Sequence, residues 1–111
     1  MKIQIQSLHF NADKKLLDFI GKKMNKLETF YGRVIGSDVI LSMEQMNAQV
    51  KNKVVTIKAQ IPGTVLIAKE KSKKFEEAID MATESIRKQM QRIKTRKKPS
   101  TELFDEIETE A

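Results

Sequence analysis

Apolar and polar residues alternate along the first strand-length segment: Ile3 and Ile5 fall on one side of Lys2–Leu8, and Lys2, Gln4 and Gln6 on the other. Period-two alternation predicts a half-buried strand. The period then changes. From about Lys14 to Phe30, Leu16, Ile20, Leu27 and Tyr31 recur at helical spacing, with Leu17, Phe19, Met24 and Phe30 widening the stripe. Asp13 is the expected N-cap and Gly32 the expected helix stop. Alternation returns in three further segments. Val39, Leu41 and Met43 alternate with Asp38, Ser42 and Glu44, and a polar turn is expected near Asn47–Asn52. Val55, Ile57, Ala59 and Ile61 alternate with Val54, Thr56, Lys58 and Gln60; Pro62-Gly63 suits the central positions of a type II turn, and Thr64–Glu70 returns. A second helix is expected after a Ser72 cap, with the stripe Phe75, Ile79, Ala82, Ile86, Met90 and Ile93.

The order strand, helix, three strands, helix predicts an α+β two-layer sandwich. Two helices with one apolar face each cover one face of a four-stranded mixed sheet, and β-α-β-β-β-α is the resulting order. The opening strand–helix–strand unit implies a parallel first pair, and the later hairpins imply antiparallel pairs. One domain of residues 1–98 suits a chain of 111 residues. Pro99 closes it, and residues 99–111 form an acidic tail. That tail is expected to be disordered, with folding back over the basic helix as the alternative.

Charge turns this fold into a functional reading. Between Ser85 and Lys98 there are seven bases (Arg87, Lys88, Arg92, Lys94, Arg96, Lys97 and Lys98) and no acid. Like charges three or four positions apart on a helix repel, so a one-sign run suggests a partner that supplies negative charge. The five carboxylates of residues 100–111 mask how basic the rest is. Residues 1–99 hold 21 basic and 10 acidic groups, a net +11 against +6 for the whole chain. Nucleic-acid phosphate is the leading partner class. Arg87, Lys94 and Lys98 fall on one flank of the second stripe, and Lys88, Arg92 and Arg96 on the other. Lys22 and Lys26 of the first helix are expected to face one of these flanks across a groove. Lys14, Lys15, Lys51 and Lys53 read as ordinary solvated surface. Exposed single-stranded bases are usually read by stacking on aromatics. The chain has no Trp and one Tyr, and its five Phe fall mostly in apolar stripes or the tail, which favours shape and phosphate recognition of folded RNA.

Catalysis is not expected. No cysteine is present, and His9 is the lone histidine. Four scattered glycines form no phosphate loop, and Gly21 reads as a close-packing position. Glu76, Glu77, Asp80 and Glu84 occupy the first turns of a helix, where the macrodipole favours negative charge. No metal or cofactor is expected. No apolar run approaches the ~20 residues of a membrane span, and the amino terminus alternates where a signal peptide would be continuously apolar.

The element order, the segment from Phe19 to Glu28 followed by Tyr31 and Arg33, and the segment Phe75–Asp80 resemble the ribosome hibernation promoting factors. That family includes the ribosome-associated translation inhibitor and was formerly described as a sigma-54 modulation protein. The resemblance covers residues 1 to about 98. It implies a fold similar to double-stranded RNA-binding domains and a cytoplasmic protein that binds the small ribosomal subunit and its ribosomal RNA. Occupying the channel used by messenger and transfer RNA, such a protein silences ribosomes in stationary phase or stress. By motif position, Lys23, Lys26 and Arg33 match RNA-contacting positions of the first helix and its following loop; Lys88, Arg92, Lys94, Arg96 and Lys98 match those of the second. Lys22, Arg87 and Lys97 join them on local charge. The chain departs from the family pattern at Ser7, Asp13, Lys74 and Phe75. It resembles the short form, expected to be monomeric off the ribosome and to pair ribosomes with help from a separate dimerising factor. The alternatives are a constitutive structural RNA-binding protein of a ribonucleoprotein and a transcription modulator. The second is disfavoured because no recognition helix with base-reading side chains is evident.

Overall fold

The computed structural model describes residues 2–8, 10–45 and 51–96 of the chain. They form β1 (Lys2–Ser7), α1 (Lys14–Phe30), β2 (Gly36–Gln45), β3 (Lys51–Ile61), β4 (Thr64–Ser72) and α2 (Phe75–Arg96). The sheet order is β1-β2-β3-β4. β1 pairs parallel with β2, and β2–β3 and β3–β4 are antiparallel. This is the predicted α+β sandwich, with both helices on one face and no described element covering the other.

Alternation decides which side of each strand is covered. Val39 and Leu41 of β2, Val55, Ile57, Ala59 and Ile61 of β3, and Leu66 and Ala68 of β4 are all buried in one core with Leu16, Ile20, Met24 and Leu27 of α1. Phe75, Ala78, Ile79, Ala82, Ile86 and Met90 of α2 complete it. Each large aliphatic side chain sealed there contributes on the order of 1.5–3 kcal/mol. Phe10 closes one end, its ring stacked 5.2 Å from that of Phe75. Thr83 is buried with its hydroxyl satisfied, donating to the Ile79 carbonyl at 2.9 Å.

Asp13 caps α1 as expected, its carboxylate accepting from Leu16 N at 2.8 Å. Other details differ. α1 ends at Phe30 with Tyr31 as its extended C-cap, before Gly32 is reached and without a left-handed glycine; the Tyr31 N–H makes the last helical bond, to the Leu27 carbonyl at 2.9 Å. Gly63 alone among the described glycines has a positive φ, 87°, as position three of a type II turn requires. Ser72 does not cap α2. It is the last residue of β4, and its hydroxyl donates to the Glu77 carboxylate while the helix begins at Phe75. β3 extends back to Lys51, so Lys51 and Asn52 belong to a strand, and the rest of the expected turn lies outside the described residues. Leu17 stands 37% exposed outside the core, and a Cβ placed on Gly21 meets no atom within 4 Å, so neither packs as its sequence position suggests.

Candidate nucleic-acid interface

The two helices run parallel. Lys23 of α1 meets Asp80 of α2, and seven residues further along both helices Phe30 meets Arg87. Since α2 is neutralised by acids in its first half and basic in its second, the parallel arrangement gathers positive charge at one end of the helical layer. Arg33 follows α1 at that same end.

Several expected RNA-binding residues are engaged along the helix–helix seam. The Lys23 ammonium lies 2.7 Å from an Asp80 carboxylate oxygen and 5.5 Å from the centre of the Phe19 ring. The Lys94 ammonium donates to the Phe30 carbonyl at 3.2 Å, capping the C-terminal end of α1 from the neighbouring helix, and sits 4.4 Å over the Phe30 ring. Arg87 lies 5.7 Å from that ring. Its guanidinium also forks onto Glu84, with donor–acceptor distances of 3.0 and 2.6 Å, and reaches Gln91 at 3.2 Å. The Glu84 hydrogen bond raises the Arg87 pKa above its ordinary value, and the bond from Arg87 lowers that of Glu84. Arg87 therefore already has a carboxylate partner one turn back.

Lys22, Lys26, Arg33, Lys88 and Arg92 are different: all are exposed, and none has an ion-pair partner among the described residues. At 100° per residue, Lys22 and Lys26 fall on the same side of α1 as Lys23 and Phe30, and so border the seam. Lys88 and Arg92 occupy the solvent side and outer flank of α2. That outer flank is fixed over β4 by Gln89, whose amide donates to the Ile67 carbonyl at 3.1 Å. The expected groove is thus filled along its floor by Lys23, Phe30, Arg87 and Lys94; Lys22 and Lys26 lie beside it on α1, and Lys88 and Arg92 face away from it on α2. Arg96 is the last residue of α2, while Lys97, Lys98 and His9 lie outside the described residues.

Phe30 was not predicted at this position. Its place at the edge of the α1 stripe is visible in the sequence, but the parallel alignment that sets it between Arg87 and Lys94 is a tertiary fact. Asp80 and Glu84 suit the helix dipole, and they also neutralise Lys23 and Arg87. Among the described residues no group of three or more acidic or histidine side chains could hold a metal, and no helix is long and apolar enough to cross a membrane.

Two solved proteins share this fold. One is a ribosomal subunit interface protein from Coxiella burnetii, 17% identical, with a TM-score of 0.75 over 85% of this chain and 98% of that one. The other is the N-terminal domain of Thermus thermophilus Protein Y, 21% identical, with a TM-score of 0.70 over 84% of this chain and 99% of that one. The sequence profile of the sigma 54 modulation protein / S30EA ribosomal protein family matches residues 3–98, and the chain belongs to that family. No curated relative matches it.

Proposed function

We propose that the protein is a ribosome-binding translation silencer. It docks on the small ribosomal subunit through ribosomal RNA and occupies the decoding region, excluding messenger and transfer RNA in the cytoplasm of stressed or stationary cells. Family membership supports the ribosome as partner, and the name of one structural neighbour, a ribosomal subunit interface protein, accords with a site between subunits. The observation that carries the reading is a group of exposed cations, without ion-pair partners among the described residues, on and just after the later turns of the two helices: Lys22, Lys26, Arg33, Lys88 and Arg92. Unpaired cations on one surface favour polyanion binding by counterion release. Arg87, Lys23 and Lys94 contribute field and hold the two helices in register, and Arg96, Lys97 and Lys98 extend the charge beyond.

Silencing proceeds by occupancy, without bond making. Inhibition of cell-free translation is expected to saturate near one protein per ribosome and to be relieved by excess transfer RNA with initiation factors. Inhibition that grows with time at far substoichiometric protein would contradict occupancy. Constant ribosome occupancy through growth and stationary phase would instead support a constitutive structural protein.

A further inference from the structure

The sheet face opposite the helices carries a shallow groove of about 410 Å³ lined by Lys2, Ile35, Gly36, Asp38, Lys58 and Val65, among others. Its chemistry is mixed. Ile35, Val65 and the neighbouring Ile67 are 55%, 48% and 54% exposed, three of the seven large apolar side chains left in solvent among the described residues. Strand register places Gly36 between Lys2 and Gln60, with Val65 next across, and Lys58 between Asp38 and Ile67. Gly36 contributes no side chain, so the row opens there. A Cβ at that position would lie 3.3 Å from the Lys2 carbonyl. Two lysines face a single carboxylate, Asp38. An apolar floor with a basic border calls for a segment that combines apolar and acidic residues.

The chain contains such a segment: Glu102-Leu103-Phe104-Asp105-Glu106-Ile107-Glu108. We infer that this segment docks on the open sheet face, with its apolar residues against Ile35, Val65 and Ile67 and its carboxylates toward Lys2 and Lys58. Position supports it. α2 ends at the edge of the sheet where the groove lies, because Lys94 touches Phe30 at the close of α1, and Ile35 follows only five residues later. Leu103 is seven residues beyond Arg96, a reach of roughly 23 Å when extended. That exceeds the 19 Å shortest extent of the molecule. The competing location, the basic end of the helical layer, offers charge but, among the described residues, no exposed large apolar side chain. Docking on the sheet keeps the acidic segment away from Lys88 and Arg92 and leaves the helical layer open. The inference stands or falls in the ribosome-free protein, independently of the proposed function.

The chain has no cysteine, so Glu110→Cys provides a single attachment point for a nitroxide on the full-length protein. Amide signals of Ile35, Val65 and Ile67 are expected to broaden selectively, and the double variant Phe104→Ser/Ile107→Ser in the labelled protein is expected to abolish the effect. That variant alters only the segment itself and leaves the packed core untouched. Broadening centred on Phe30, Arg87 and Lys94 would overturn the inference and assign the segment to the basic seam. Absence of selective broadening would overturn it too. A mixture of isotope-labelled and spin-labelled molecules completes the test, since broadening there would show that the occupant comes from a second copy.

Discussion

Reversing Lys88 and Arg92 to Glu removes two exposed cations one helical turn apart on α2. If each of Lys22, Lys26, Arg33, Lys88 and Arg92 meets one phosphate, the logarithmic salt slope is about −4.5, at about −0.9 per contact. Raising salt from about 50 to about 200 mM then weakens the parent by about 500-fold, whereas a variant with three contacts left weakens by only about 40-fold. The gap between parent and variant should therefore narrow by about 12-fold across that range. Filter binding of labelled protein to purified small subunits at several salt concentrations measures this directly. The control is Lys14→Glu/Lys15→Glu, which makes the same change in net charge at two exposed positions on the first turn of α1, at the other end of the helical layer. It is expected to leave the slope nearly unchanged. Equal slopes for parent and Lys88/Arg92 variant, or equal losses for both variants, would refute a localised interface and indicate diffuse attraction.

Glu84→Gln frees Arg87 and removes a carboxylate from the same layer, so binding should tighten several-fold at low salt and the slope should steepen by about 0.9. The hydrogen bond from Arg87 holds the Glu84 pKa below its ordinary 4.5, so any stability it contributes is present above that value and is lost as pH falls through the depressed pKa. Between pH 7 and 5 the pair stays ionised, and titration of Glu84 should leave ribosome affinity unchanged in that window. Phe30→Leu keeps apolar volume but removes the ring over which Arg87 and Lys94 sit; with each exposed cation–π contact worth about 0.5–1 kcal/mol, affinity should fall several-fold with little change in salt slope, and Phe30→Tyr should restore it. Gly21→Ala should stabilise α1 by about 1 kcal/mol, read as a rise of about 4–8 °C in Tm, because nothing blocks the added methyl.

Element order, sheet direction and the main core were legible in the sequence because one face of every strand and one stripe of each helix had to be buried. Val55, Ile57, Ala59 and Ile61, or Ile79, Ile86 and Met90, admit only one inward face. Boundaries were less legible where a side chain had two plausible partners. Ser72 reads as a cap but extends β4, and Gly32 reads as a stop although the backbone already turns extended at Tyr31. Within the candidate interface, the basic positions were visible and their division was not. Whether Lys23, Arg87 and Lys94 are free depends on which residue of α1 faces which residue of α2. Those two helices are separated by three strands, and local periodicity carries no record of their alignment. Phe30 belongs to the same class: its aromatic ring is evident, and its two cationic neighbours come from a helix more than fifty residues away.

The central claim is that this basic helical layer occupies the channel of messenger and transfer RNA on the small subunit. Sedimentation of the full chain with purified small subunits, with and without messenger RNA and transfer RNA, tests it most directly. Binding is expected to saturate near one protein per small subunit, and the protein is expected to be displaced as the two RNAs are added. Saturation undisturbed by both RNAs, or preferential pelleting with large subunits, would contradict it.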